Sequence, residues 1–192
     1  MTQRAFVAVV PPVPVLAPLA DQWSVLRAAY PGYSWIPPAR WHVTLAFLGE
    51  VASGQRHRLA ERLLPIASAT SPFSARLSGT GAFPSAAHAR VLWVGVESTQ
   101  LGALAAAVRE AARDARIALD TKAFTAHITM ARSRRDVAPS DVPHLLRKLL
   151  VADGAAWQVS RLVLTESSGG VRPEYAELAA WPLTGPIGEP EL

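Results

Sequence analysis

The order strand, helix, strand, helix, strand is written into this chain twice, at a spacing of about 85 residues, and that repeat limits the fold more than any single motif does. In the first copy, Ala5 to Val10 is an apolar run stopped by Pro11-Pro12, and a helical stretch follows to about Ala29. Pro31 to Arg40 reads as a loop that delivers the chain into a strand from Trp41 to Leu48, closed by Gly49. Leu59, Leu63 and Ile66 recur at helical spacing within 53–69. Phe73, Ala75 and Leu77 alternate with polar residues as a half-buried strand does, and Gly79 to Pro84 is a turn or bulge region.

The second copy opens with the apolar strand Arg90 to Glu97. Thr99 is the expected N-cap of a helix whose stripe is Leu101, Leu104, Val108, Ala112 and Ala115. Phe124 to Ala131 is the next strand segment. Ser140 or Asp141 opens a short helix with Leu145, Leu146, Leu149 and Leu150 inward, and strands at 157–165 and 174–181 finish the fold. Adding 85 carries Phe6 onto Val91 and His42 onto His127. Within one domain, 1–192, two half-units at roughly 5–84 and 90–181 are therefore expected to pack about a pseudo-twofold axis and to face each other across a cleft.

Composition narrows the chemistry. Half of the residues are hydrophobic and 18% are charged, which is the balance of a folded chain. The absence of cysteine removes disulfide frameworks, thiolate metal sites and cysteine nucleophiles, and suits a reducing cytoplasm. A net charge of +4 fits a polyanionic partner without requiring one, and no Lys/Arg run resembles a nucleic-acid tail. Ala5 to Ala20 carries no charge, but 16 residues broken by prolines 11, 12, 14 and 18 are too short for a membrane span and a poor secretory signal. A cytosolic N-terminus without a leader is expected.

The informative residues are His42-Val43-Thr44-Leu45 and His127-Ile128-Thr129-Met130. On a strand, successive side chains point to opposite faces, so each tetrad offers one imidazole and one hydroxyl on one face and packs its apolar pair on the other. Near neutral pH one imidazole accepts a proton while the other donates one, which is a general acid/base couple. Threonine hydroxyls donate to anionic oxygens, so the four groups together suit a small tetrahedral anion such as a phosphate. In-line phosphoryl transfer needs a base on the entering side and an acid on the leaving side, with no metal and no cofactor required.

Other readings of the two histidines stay open at this point. Two strand histidines can ligate a metal, although neither is flanked by HxH, HExxH or a paired carboxylate. Either can be a satisfied core residue. A Ser-His-Asp triad has less support because no Gly-x-Ser-x-Gly elbow is present.

The paired tetrads resemble the signature of the 2H phosphoesterase superfamily, and the surrounding sequence is similar to its RNA 2′,3′-cyclic phosphodiesterase branch, also called the 2′-5′ RNA ligase family. The similarity runs through Arg4 to Ala8, His42 to Glu50, the Gly81-Ala82-Phe83-Pro84 turn, Arg90 to Trp93, His127 to Arg132 and a closing strand near Tyr175. The resemblance implies an α+β, bilobal fold with an antiparallel sheet in each lobe, helices outside and the tetrads in a central cleft. It also implies hydrolysis of a ribose 2′,3′-cyclic phosphate to a 2′-phosphomonoester, with His42 as proton donor to the leaving 3′-oxygen and His127 as the base. Thr44 and Thr129 would hold the non-bridging oxygens, and attack by a 5′-hydroxyl instead of water would form a 2′-5′ linkage. The expected partner is an RNA end carrying a cyclic phosphate, or a small cyclic nucleotide, acted on by a monomer.

Arg132 matches the family's position after the second tetrad, but simple alternation puts it on the face opposite His127, so it needs a bulge or the strand end to reach a phosphate. Ala126 stands where the family commonly has proline, so the fixed φ is lost there. Phe83 lies where an aromatic face would stack on an unpaired base or pack in the core. His57, His88 and His144 lack a threonine partner and read as solvent-facing, while Trp41, Trp93, Trp157 and Trp181 read as core. A nucleotide or RNA-end binding module without turnover is the alternative function.

Overall fold

The computed structural model describes residues 2–133, 156–168 and 174–185. Nine strands and three α-helices lie in this part of the chain: β1 Thr2–Val9, α1 Val13–Ala29, β2 Tyr33–Trp35, β3 Val43–Ala52, α2 Ser53–Ala69, β4 Phe73–Phe83, β5 Val91–Glu97, α3 Leu101–Asp114, β6 His127–Ser133, β7 Ala156–Val159, β8 Arg161–Ser167 and β9 Tyr175–Pro182. The strands form one antiparallel sheet in the order β7-β4-β5-β6-β3-β1-β8-β9, with β2 added to β6.

The two expected sheets are the two wings of this one sheet, joined at its middle by a single register pair, Val43 with Ile128. One wing runs outward from β3 through β1, β8 and β9, the other from β6 through β5, β4 and β7. The wings do not coincide with the sequence halves. β4, which ends the first half-unit, pairs with β5 of the second, and β8 of the second pairs with β1 of the first. Each half lends one strand, β4 or β8, to the wing of the other, so the contiguous half-units are interlocked by backbone hydrogen bonds.

Three local expectations are corrected by the same pairing. The segment 157–165 is two strands, because the chain leaves one wing after β7 and enters the other at β8, with Ser160 between them. Residues 33–35 in the expected loop are a strand, since β6 offers Ala131 to Ser133 as an edge partner. β3 runs on through Gly49 at φ +67° to Ala52, and β4 through Gly79 at φ +63°, so both glycines are irregularities within strands and not their ends. Helix α3 begins at Leu101 with Gln100 as N-cap; the Thr99 hydroxyl lies 2.7 Å from the Gln100 amide oxygen and makes no cap.

The core takes one face of each element. Leu59 and Leu63 of α2 are fully buried, as are Leu101, Leu104, Val108, Ala112 and Ala115 in and just after α3. Helix α3 packs on β3 and on α2. The last carbonyls of α3 are held by α2, where Gln55 donates to the Arg116 carbonyl at 2.6 Å and Arg58 to the Ala115 carbonyl at 3.4 Å. Trp41 and Trp157 are buried as expected, His57 and His88 are exposed, and His144 and the helix expected after Ser140 lie outside the described residues. No helix among the described residues is long and apolar enough to cross a membrane.

Candidate active site

Both tetrads sit where the wings join. Val43 and Ile128 are fully buried, and His42, Thr44, His127 and Thr129 are half-buried on the opposite face. Antiparallel pairing of Val43 with Ile128 sets His42 across from Thr129 and Thr44 across from His127. The four polar side chains thus share one face at the junction, and the apolar pair between them enters the core.

The two imidazoles are held in the same way. His42 Nδ1 lies 2.8 Å from the Arg40 carbonyl oxygen, and His127 Nδ1 lies 2.6 Å from the Thr125 carbonyl oxygen, each two residues upstream. A carbonyl only accepts, so Nδ1 carries the proton in both rings and each Nε2 keeps its lone pair. No hydrogen bond among the described residues occupies either Nε2 or either threonine hydroxyl. The segment before His127 is tied to β5, where the Val96 amide donates to the Ala126 carbonyl at 3.0 Å.

The rings differ in their surroundings. Phe6 of β1 stacks on His42 with ring centres 4.5 Å apart and 18° between planes, and Tyr175 of β9 meets His42 edge-on at 5.5 Å. The Arg40 guanidinium lies over the Tyr175 ring at 5.6 Å. Around His127 stand Phe83, edge-on at 5.0 Å, and Trp93 at 6.1 Å. Burial lowers the His42 pKa to about 4, against the pull of the Arg40 carbonyl; the charges of His127 and Arg132 lower it further. His127 is lowered by burial too, again with a carbonyl opposing and Arg132 adding to the effect. An anion between the rings would reverse this by favouring imidazolium.

Arg132 reaches this face through a bulge. Leu92 pairs with Ala131 but Trp93 pairs with Thr129, so Met130 is an extra residue and the alternation changes phase after it. Met130 and Ala131 are both buried, and Arg132 emerges exposed on the side of His127 and Thr129. The first tetrad has the same device: Val7 pairs with Ala46 and Ala8 with Thr44, leaving Leu45 as the extra residue. The position equivalent to Arg132 is then Phe47, which pairs with Phe6 and is 50% exposed. Arg4 holds its guanidinium 5.7 Å from the Phe47 ring centre.

Of the residues expected from sequence, His42, Thr44, His127, Thr129 and Arg132 come together on one face. Phe83 lies beside them, but its ring is taken up by His127 and Trp93. Phe47, Phe6, Tyr175 and Arg40 were not singled out as site residues. Carrying Arg132 back by the 85-residue spacing lands on Phe47, so the repeat held that signal. Nothing local marks Tyr175 or Arg40, which meet only through the fold. Among the described residues no three His, Asp or Glu side chains cluster as metal ligands.

Comparison with known proteins places this site in a family context. The model of the 2′-5′ RNA ligase superfamily matches residues 11–171. A Geobacillus stearothermophilus protein named RNA 2′,3′-cyclic phosphodiesterase is 35% identical over 82% of this chain, which spans half the length of that relative. A Thermus thermophilus protein of the same name is 34% identical, with 96% of this chain and 92% of the relative covered. Among solved structures, one from Thermus thermophilus superposes with a TM-score of 0.80 at 29% identity, covering 95% of this chain and 98% of that one. E. coli LigT in complex with 3′-AMP superposes at 0.73 with 25% identity, covering 96% and 99%.

Proposed function

The chain belongs to the 2′-5′ RNA ligase superfamily, and from that footing we propose that it is a cyclic phosphodiesterase that opens 2′,3′-cyclic phosphate ends of RNA to 2′-phosphomonoesters. The observation that carries this reading is the paired arrangement at the wing junction: two imidazoles, each fixed through Nδ1 and open at Nε2, with a threonine hydroxyl across from each. The relatives' shared name supports the substrate class, and the nucleoside monophosphate bound to E. coli LigT supports a nucleotide at this face.

In this reading the cyclic phosphate sits between the two Nε2 atoms. His127 takes a proton from water as its oxygen bonds to phosphorus, the P–O3′ bond breaks, and His42 gives its proton to the departing 3′-oxygen. Thr44 and Thr129 donate to the non-bridging oxygens, where negative charge concentrates in the transition state, and Arg132 adds a positive charge on the same face. The anionic phosphate raises the pKa of His42 from its unliganded value near 4, so binding itself charges the acid. The exposed ring of Phe47 offers a face for the nucleobase. A 5′-hydroxyl in place of water would run the same proton transfers to a 2′-5′ linkage.

The test is a short RNA ending in a 2′,3′-cyclic phosphate, incubated in excess EDTA with wild type, His42→Ala and His127→Ala, with the product isomer identified. Conversion to the 2′-phosphate by wild type, reduced roughly 100-fold or more in each variant, is the expected result. Binding without ring opening would make the cleft a nucleotide-binding module, and loss of turnover in EDTA would overturn the metal-free mechanism.

A further inference from the structure

Beside His127 a glycine clears a floor for one large ring. Gly81 of β4 pairs with Trp93 of β5, and Trp93 pairs with Thr129 of β6, so the three stand in one row across the sheet. A Cβ on Gly81 would overlap the Trp93 six-membered ring, so the indole lies directly on the Gly81 backbone. Gly95, the register partner of His127, is bare for a different reason: a Cβ there would run into the Ser78 carbonyl, and the rim of the same indole at 3.4 Å would be in ordinary contact with it. Phe83 closes the arrangement at 5.3 Å from Trp93 and 5.0 Å from His127. The indole N–H is buried and finds no acceptor among the described residues, so this Trp is not held in place by its polar handle.

We propose that Trp93 is a positioning residue for His127: lying flat in the space left by Gly81, its ring and that of Phe83 fix the orientation of the imidazole and keep water from its flank. The Thr125 carbonyl anchors Nδ1 but leaves the ring free to swing about that hydrogen bond, and the aromatic wall removes that freedom. His42 needs no such floor, because Phe6 stacks on it face to face. The catalytic half of the proposal rests on His127 acting as the base; the structural half does not.

The experiment compares Trp93→Leu, Trp93→Phe and Gly81→Ala with wild type. It measures kcat and KM on the cyclic-phosphate RNA, the NMR titration of each histidine in the unliganded protein, and Tm. In Trp93→Leu, kcat is expected to fall roughly tenfold or more with KM within about twofold, because misplacement of the reacting group acts on the transition state. The His127 titration moves up toward the ordinary histidine range as water reaches the ring, while that of His42 stays in place. Trp93→Phe restores most of kcat. Gly81→Ala keeps the indole but pushes it off the sheet, so it moves kcat and the His127 titration in the same directions, and it decides the matter if Trp93→Leu does not fold. Unchanged kcat and His127 titration in both Trp93→Leu and Gly81→Ala would overturn the proposal, as would equal movement of His42 and His127 tracking a fall in Tm. If wild type opens no cyclic phosphate, the functional reading fails, and the selective shift of His127 still decides whether Trp93 positions it.

Discussion

Val43 and Ile128 face each other across the one register pair that joins β3 to β6, and each directly follows a histidine of the site. The contact that holds the two wings together is therefore also the contact that sets the separation of the two imidazoles. The proposed reaction is thereby tied to stability at this point in the fold.

Ile128→Ala removes a fully buried side chain from that junction. The expected cost is about 3 kcal/mol, from lost transfer energy and the residual cavity, which for a chain of this length lowers Tm by roughly 6–12 °C. The activity of the folded fraction should fall as well. Leu59→Ala, in the α2 core and equally buried, should lose comparable stability and keep its kcat. Differential scanning calorimetry beside single-turnover rates separates the two, and equal kcat in both variants would contradict the link.

Thr44→Val and Thr129→Val keep the strand shape and delete one hydroxyl donor each. Each is expected to reduce kcat by roughly 100-fold, with KM changed much less, because the donated hydrogen bond strengthens as charge develops on the phosphoryl oxygens. Steady-state kinetics on a cyclic-phosphate dinucleotide checks this, and a loss confined to KM would reassign the threonines to ground-state binding.

Arg132→Ala is expected to raise KM roughly tenfold and to flatten its dependence on ionic strength, since a charge-assisted contact to phosphate is lost. Arg132→Lys should recover part of the affinity but not the bidentate geometry. Kinetics between roughly 20 and 300 mM salt, which spans Debye lengths from about 20 to about 6 Å, give the reading.

Phe47→Ala should weaken nucleotides that carry a base and spare a ribose cyclic phosphate that lacks one. Stacking on an exposed aromatic ring contributes about 1–3 kcal/mol per base. A calorimetric titration with both ligands tests it, and equal weakening of the two would place the base elsewhere.

Burial holds the His42 imidazole near pKa 4 in the native state and lowers His127 as well. In the unfolded chain both titrate near the ordinary value of about 6.5. Below that pH the unfolded chain takes up protons that the native rings refuse, so stability falls as pH drops from about 6.5 toward the native value of His42. The His42 share reaches about 3 kcal/mol at most, and above about pH 6.5 it is fully present and the slope vanishes. Urea midpoints from roughly pH 4 to 7.5 should therefore converge between wild type and His42→Gln as pH falls; parallel curves would contradict the buried, neutral ring.

The tetrads were legible because period-two alternation of polar and apolar residues needs only four positions to declare itself. Helix α2 was legible at both ends, and the inward stripe of α3 was legible residue by residue. The need for an irregularity before Arg132 was legible, but its place at Met130 and the matching bulge at Leu45 were not, because an extra residue in a strand leaves no mark in hydropathy, and with them went the placement of Phe47. Strand exchange was hidden for a different reason. The pattern of β4 marks a half-buried strand, and only long-range geometry decides that β5 and β7 are its neighbours. The corner at Ser160 is equally silent: 157–165 is uniformly strand-like, yet it serves both wings.

The exchange of β4 and β8 bears on how such a molecule could arise. A chain holding only one copy of the repeat would have an unfilled edge beside its first strand, and the element able to fill it would be the counterpart of β4 or β8 in a twin. Two such chains would clasp one another and bring an imidazole from each to their common centre, so the reaction would belong to the pair. Fusion of such copies into one polypeptide would make that meeting unavoidable at any dilution and would release the two sides from identity, and the two histidines here do differ, with Phe6 and Tyr175 enclosing one and Phe83 and Trp93 the other.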